Sequence, residues 1–192
     1  MVGVIFDSSA LITCNKPPLV SDAILEINQL LYSGIVQRIT VYLTLDILKE
    51  YETVVKPRAG KCGEYPELAG SINRLLELRR IVQTSRGFKC KPRRSRPVFH
   101  VLESTVVERY EVDTPEDKTD RKFIKAALAA TRHEDVVYLV TYDSGLLGVD
   151  LGKLRERYQE AEKVKIVEPR EAVERLRPAG SRRLCRRLIS CG

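Results

Sequence analysis

The sequence predicts an α/β protein, a three-layer αβα sandwich whose mostly parallel sheet has helices on both faces. Strand-like and helical segments alternate along the chain, which is typical of parallel strands joined by crossover helices. Two of the strand-like runs, residues 4–6 and 136–141, contain no charged residue. Runs of this kind are typical of strands that are buried on both faces of a sheet.

The first half of the chain contains two predicted strands, each followed by a helix. Residues 19–33 are predicted as the first long helix and residues 39–43, which are rich in β-formers, as the second strand. Thr44 is a suitable cap for the helix after that strand. The helical period of about 100° per residue predicts an apolar face made of Leu45, Leu48, Tyr51 and Val55. Glu50 lies roughly opposite that face.

The middle of the chain is harder to place. Residues 56–70 are rich in proline, glycine and charge and are predicted as a loop, followed by a helix at 71–80 and a short strand at 81–84. Residues 98–102 are again β-like. The sequence leaves open whether these two strands form an added hairpin or whether one of them joins the main sheet.

The last third returns to regular alternation. Residues 114–117 contain a cap residue, a proline and two acids in the order of a helix start, and Thr119 with Asp120 offers a second start one turn later. The helix then runs through alanines that permit close packing on a sheet. The remaining predicted elements are a strand at 136–141, a helix at 151–162, a strand at 164–167 and a helix at 169–176.

The net charge of +7 comes from two segments. A chain of 192 residues is expected to form one domain, here residues 1–177, with a basic insertion around 85–97 and a basic C-terminal tail at 178–192. Without their ten basic residues, 23 basic residues remain against 26 acidic ones, a net charge of −3. Arginine-rich segments suggest contact with a nucleic-acid backbone, and a solvated tail is the alternative for 178–192. The candidate nucleic-acid-binding residues are Arg86, Lys89, Lys91, Arg93, Arg94 and Arg96.

The cysteines and the overall composition bear on the cellular setting. Five cysteines, at positions 14, 62, 90, 185 and 191, form no CxxC pair, so a zinc site has little support. A composition poor in Asn, Gln and Met and rich in Arg and Glu favours a thermophile. Intracellular disulfides occur in such organisms, and the candidate pairs are Cys62–Cys90 and Cys185–Cys191.

Nothing in the sequence predicts a membrane association. No apolar run approaches the roughly 18 residues that a membrane span needs. The N-terminus has no basic region before its first apolar run, as a signal peptide would have. We therefore expect a cytoplasmic protein.

Four acids stand in comparable settings: Asp7, Glu50, Asp120 and Asp143. Asp7 and Asp143 lie at or just beyond the ends of predicted strands, and open α/β sheets bind ligands at that carboxyl edge. Glu50 and Asp120 lie near helix starts and can reach the same crevice. Two of these acids have a simpler interpretation when each is taken alone: Asp7 as a helix cap and Glu50 as a solvated helix residue.

Taken together, the acids indicate a metal site. Converging carboxylates repel one another without a cation, and one of them should then have a raised pKa. Carboxylate oxygens are the ligands that Mg²⁺ and Mn²⁺ prefer. These ions serve phosphodiester hydrolysis because they activate water and neutralise the charge that builds on the phosphate.

The order and surroundings of these acids resemble the PIN-domain family of metal-dependent nucleases, over roughly residues 2–176. Five loose motifs occur in the order of the family. They are Ile5-Phe6-Asp7-Ser8-Ser9, Leu48-Lys49-Glu50-Tyr51-Glu52, Asp117-Lys118-Thr119-Asp120-Arg121-Lys122-Phe123, the run from Leu139 to Leu147 that contains Thr141-Tyr142-Asp143, and Lys165-Ile166-Val167-Glu168-Pro169-Arg170-Glu171. The chain is most similar to the toxin components of prokaryotic toxin–antitoxin systems.

The resemblance implies a PIN-like sheet and an endoribonuclease site. Asp7, Glu50, Asp120 and Asp143 would hold one or two Mg²⁺ or Mn²⁺ ions and activate water against an RNA phosphodiester bond. Further residues are implied in lesser roles: Ser9 or Thr141 supporting a carboxylate, Asp117 standing in for Asp120, and Asp150. RNA, an antitoxin protein and a second copy in a homodimer are the implied partners.

The chain also departs from the family pattern. Gly145 occupies a position where many relatives carry a further acid, which leaves the second metal in question. The chain is longer than compact PIN toxins by the region 56–100 and by the basic tail.

Three other interpretations of the sequence remain open. A phosphatase of the haloacid-dehalogenase type also starts from a strand and an Asp, but it needs a second Asp two residues on, where this chain has Ser9. A PIN-type domain that binds nucleic acid without cleaving it is the main alternative. A structural protein whose basic segments bind an acidic partner is the third.

Overall fold

The computed structural model describes residues 1–11, 39–55, 57 and 98–176. In chain order these residues form β1 (Val2–Phe6), α1 (Ser8–Leu11), β2 (Ile39–Leu43), α2 (Leu45–Glu50) with a π-helical turn (Tyr51–Val55), β3 (Val98–Val101), α3 (Ser104–Val107), α4 (Arg121–Ala130), β4 (Val136–Val140), α5 (Ser144–Leu147), α6 (Leu151–Arg157) with a 3-10 turn (Gln159–Lys163), β5 (Val164–Val167) and α7 (Pro169–Leu176).

The five described strands form one parallel sheet in the order β3-β2-β1-β4-β5. This confirms the predicted α/β class. β1 occupies the centre, where Val4 lies opposite Val41 of β2 on one side and Tyr138 of β4 on the other. β3 pairs with β2 in parallel, so the segment at residues 98–101 belongs to the main sheet, where it is the outermost of the described strands on that side.

The carboxyl ends of the inner strands are tied together just beyond the sheet. The Asp7 amide donates to the carbonyl of Val140 at 2.9 Å, and the Thr141 amide donates to that of Val167 at 3.0 Å. Val4 and Ile5 are fully buried, as their apolar run predicted. The residues that follow β1 and β4 therefore meet at one edge.

The helix after β2 begins where it was predicted and then departs from the predicted pattern. The Thr44 hydroxyl caps α2 by accepting from the Ile47 amide at 3.1 Å. The prediction that Leu45 lies on the apolar face is wrong, because its side chain is 45% exposed. The fully buried face contains Ile47, Leu48, Tyr51 and Val55. Leu48, Tyr51 and Val55 follow Ile47 by one, four and eight residues. These spacings place them on the same helical face as Ile47, and Leu45 lies outside that face.

The long helix α4 begins at the second of its two predicted starts. The first start, at Thr114, is wrong: Asp117 accepts from the Thr119 amide at 2.8 Å and from its hydroxyl at 2.7 Å. An aspartate that bonds the backbone two residues on stabilises a turn in place of a helix. α4 then packs against β1, β2 and β4 through Ala126, Ala127 and other fully buried residues.

The elements after β4 follow the prediction closely. β5 and α7 have the predicted limits, while the predicted helix at 151–162 is divided into α6 and the 3-10 turn. None of the helices in the described ranges is long and apolar enough to cross a membrane.

Several predictions fall outside the described residues. They are the helices at 19–33 and 71–80, the strand at 81–84, nearly all of the loop at 56–70, both basic segments with the six candidate nucleic-acid-binding residues, and all five cysteines.

Candidate active site

Asp7 lies at the carboxyl end of the central strand and is 4% exposed. One of its oxygens, Oδ2, accepts three hydrogen bonds: from the Ser9 amide at 3.1 Å, from the Thr141 hydroxyl at 2.8 Å, and from the Ser9 hydroxyl. Within the described ranges no donor contacts Oδ1. The carboxylate is thus held in one orientation through a single oxygen.

Ser9 and Thr141, the two predicted supporting residues, both contact Asp7 and also contact each other. Their hydroxyl oxygens are 3.1 Å apart. The Ser9 oxygen accepts from the Tyr142 amide at 2.9 Å, and the Thr141 oxygen accepts from the Asp143 amide at 2.8 Å. This network joins the ends of β1 and β4 and orients the backbone that carries Asp143.

Glu50 is the last residue of α2, and two donors contact its carboxylate. The Ser8 hydroxyl donates to Oε1, and the Lys122 ammonium forms an ion pair with Oε2. The neighbouring Tyr51 donates its hydroxyl to the carbonyl of Phe6, which fastens this end of the helix to the end of β1. Burial raises the pKa of Tyr51, and the charges of Asp7 and Glu50 raise it further, so both acids act on the same buried ring.

Asp120 links the acids electrostatically. It precedes α4 and makes no capping hydrogen bond through its side chain. Burial raises its pKa to about 6, and the charges of Asp117, Asp7, Asp143 and Glu50 add to the rise, in that order. The raised pKa that carboxylate clustering predicts therefore falls on Asp120.

Asp143 has a structural contact of its own. Its Oδ1 accepts from the Leu146 amide at 3.0 Å and so caps α5. A Cβ atom at Gly145 would lie 2.9 Å from that oxygen. A side chain at position 145, including the acid of many PIN domains, therefore requires Asp143 to move.

The two lesser acids lie in different places. Asp117 is exposed, and its hydrogen bonds with Thr119 lower its pKa, while its charge is the largest of those acting on Asp120. Asp150 caps α6 by accepting from the amides of Gly152 at 2.8 Å and Lys153 at 3.3 Å. Asp117 thus borders the cluster, and Asp150 has a capping role.

A cleft of about 550 Å³ adjoins Glu50. Its lining includes the three lysines Lys49, Lys118 and Lys122. The sequence prediction missed these lysines as a group. One signal was present: Lys122 lies in the first turn of α4, where the helix dipole disfavours a cation and a nearby acid would offset that effect.

The donor chemistry of the cluster fits a hard divalent cation, since its acids and hydroxyls supply only oxygen. The side chains are not assembled around one point, however. In the part of the chain that the structure describes, no three Asp, Glu, His or Cys side chains are grouped closely enough to hold a metal ion. Holding an ion would require carboxylates to turn toward it.

Compared with protein-family models, curated proteins and solved structures, the chain matches none of them.

Proposed function

We propose that the protein is a PIN-type endoribonuclease that hydrolyses RNA phosphodiester bonds with a bound Mg²⁺ or Mn²⁺ ion. The carrying observation is that the acids lie near one edge of the sheet: hydrogen bonds through Ser9 and Thr141 join Asp7 to the backbone of Asp143, and the charges of Asp7, Asp143 and Glu50 act on Asp120. The proposal includes the finer architecture, a three-layer sandwich with a PIN-like sheet. The proposal also includes a role as the toxin of a toxin–antitoxin pair, with an antitoxin protein as partner, and assembly into a homodimer.

In this proposal Asp7, Glu50, Asp120 and Asp143 hold the ion, which supplies charge neutralisation and an activated water. Ser9 and Thr141 keep Asp7 oriented through its Oδ2. Burial and the neighbouring acids raise the pKa of Asp120, so a bound cation would favour its ionised, metal-binding form. The lysines of the cleft lie where an RNA backbone would approach Glu50.

The test is cleavage of labelled single-stranded RNA by the full chain with Mn²⁺ or Mg²⁺. We expect cutting that EDTA abolishes and that Asp7→Asn reduces at least a hundredfold, because Asp7 is the best-buried acid of the cluster. Asp150→Asn is the matched control: it removes the same charge from an acid that caps α6. Equal activity of wild type and Asp7→Asn would contradict the proposal.

A domain that binds RNA without cleaving it is the second candidate. The acid side chains are not grouped for a metal in the described ranges, and three lysines line the cleft. Salt-sensitive RNA binding with no cutting in either metal would favour this function.

A further inference from the structure

Lys122 is the one cation paired with the acid cluster in the described part of the chain. Its ammonium contacts Glu50 Oε2, and the side chains of Lys122 and Glu50 are 24% and 17% exposed. The ring of Phe123 lies beside it, with its centroid 5.3 Å from the ammonium nitrogen. The pair is thus largely withdrawn from solvent and packed against the core.

The contacts of Glu50 involve both of its carboxylate oxygens. The Ser8 hydroxyl contacts Oε1 and the Lys122 ammonium contacts Oε2, so each carboxylate oxygen already has a donor. Asp7 differs, because the donors that reach it from the described residues all contact Oδ2. A divalent cation can therefore reach an Asp7 oxygen that has no donor among the described residues, whereas at Glu50 it meets the Lys122 ammonium, whose like charge opposes its approach.

The charge of Lys122 and its position in the helix indicate which donor a divalent cation would displace. Lys122 lies in the first turn of α4, where the unpaired amides repel a cation. The ion pair with Glu50 offsets that repulsion. An incoming divalent cation repels the ammonium as well, so the lysine is the donor that leaves.

We propose that Lys122 is a placeholder cation: it neutralises Glu50 in the metal-free protein and must leave before Glu50 can bind the divalent ion. This inference rests on the proposed function, because it takes the acid cluster as the metal site. Lys122 is here a positioning residue, which sets the affinity for the ion through Glu50.

The experiment measures Mn²⁺ affinity without any cleavage assay. The full chain is stripped with EDTA and dialysed, and free Mn²⁺ is counted from its electron paramagnetic resonance signal during a titration. We expect Lys122→Met to lower the Kd for Mn²⁺ about fivefold, because the loss of one partly exposed ion pair changes an equilibrium constant by about that factor. Lys122→Arg, which keeps the ion pair, should not lower it.

A matched control separates pairing from bulk charge. Lys118→Met removes the same charge from the same cleft, and Lys118 has no ion pair with Glu50 among the described contacts. We expect its effect on the Kd to be less than twofold. The increase in Mn²⁺ affinity caused by Lys122→Met should be smaller at high salt, because salt already weakens the Lys122–Glu50 ion pair in the wild type.

The outcomes are distinct. If Lys122→Met leaves the Kd unchanged or raises it, or if Lys118→Met lowers the Kd equally, the placeholder role is wrong. The proposed function is still supported in that case, provided that the wild type binds Mn²⁺ and Asp7→Asn abolishes the binding. If the wild type binds no Mn²⁺, both are overturned. Thermal unfolding in EDTA checks that each variant folds, and Lys122→Gln is the second neutral variant.

Discussion

The Thr141 hydroxyl donates to Asp7 and accepts from the backbone of Asp143, so one side chain orients two of the four acids. Thr141 is fully buried and Asp7 is nearly so, which limits the access of water as a substitute partner for the Asp7 carboxylate. A buried polar group that loses its partner is expensive, because it was desolvated on folding. The effect of this residue on the acids is therefore testable by removing the hydroxyl alone.

Thr141→Val keeps the branched shape and removes the hydroxyl. We expect the free energy of unfolding, measured in urea, to fall by about 1–3 kcal/mol. RNA cleavage should fall by about tenfold or more, as for other residues that orient metal ligands. Thr141→Ser restores the donor and should recover most of both quantities. Full RNA cleavage by the Thr141→Val variant would show that Asp7 needs no such support.

Asp120 predicts a pH dependence of stability in the metal-free protein. Its pKa is raised from 3.8 to about 6, so between these values the folded chain binds more protons than the unfolded chain. The contribution of Asp120 to stability is therefore present at low pH and is lost as the pH rises through about 6. Because the group is partly exposed, solvent screening limits the effect to about 1 kcal/mol.

Asp120→Asn tests that dependence in urea unfolding with EDTA. The variant should be more stable than the wild type at pH 7.5, and the difference should vanish toward pH 4, since the wild-type carboxyl is protonated there. A difference that does not change with pH would contradict the assignment. Asp150→Asn serves as the control from outside the cluster.

At the scale of secondary structure, α5 and α6 provide a natural pair for comparison. Each begins with an aspartate cap followed two residues later by glycine, and a Cβ on either glycine would lie 2.9 Å from the capping oxygen. The two caps differ in their surroundings, since Asp143 belongs to the acid cluster and Asp150 does not. Matched substitutions can therefore separate the stability of a helix from the chemistry of the site.

Gly145→Ala and Gly152→Ala should each displace a cap, but the gain in helix propensity offsets that loss, so the free energy of unfolding should change by less than about 1 kcal/mol. Only Gly145→Ala should also reduce RNA cleavage, because it displaces Asp143. Urea unfolding and cleavage rates measured on both variants check this. Equal cleavage rates in the two variants would mean that the position of Asp143 does not matter for the reaction.

The whole molecule has a second polar cluster near the start of β4, away from the four acids. The Tyr42 hydroxyl donates to Glu134 Oε1 at 2.8 Å, and the Tyr42 ring lies 5.1 Å from that of His100 and 6.2 Å from that of His133. Glu134 Oε2 is buried and has no hydrogen-bond partner in the described structure. The Tyr42 ring packs against Gly3, and a Cβ atom at Gly3 would lie 3.0 Å from that ring. This cluster joins β1, β2 and the residues before β4.

Tyr42→Phe removes the donor from Glu134 and leaves a buried carboxylate without one. We expect the free energy of unfolding to fall by about 1–3 kcal/mol, with the cleavage rate per folded molecule unchanged. Tyr110→Phe, which removes a similar bond to the less buried Glu160, should cost less. A loss of cleavage in the folded Tyr42→Phe variant would show that the Tyr42–Glu134 cluster is coupled to the acid cluster at the carboxyl edge of the sheet.

The sequence by itself determined the elements whose signals are local. The limits of β2, β5 and α7, the cap at Thr44 and the burial of Val4 and Ile5 all follow from the period of apolar residues and from side chains that bond their own backbone. The placement of Asp7 and Asp143 at one edge also followed, because parallel strands share their carboxyl ends.

Only the tertiary structure decided how distant segments meet. It placed β3 in the main sheet, turned Leu45 outward, paired Lys122 with Glu50 and put Asp143 against the space that Gly145 leaves open. These features depend on pairings between residues far apart in the chain, in which charge and volume are matched across elements. Local propensity carries no information about such pairings, because each side chain alone is compatible with many partners.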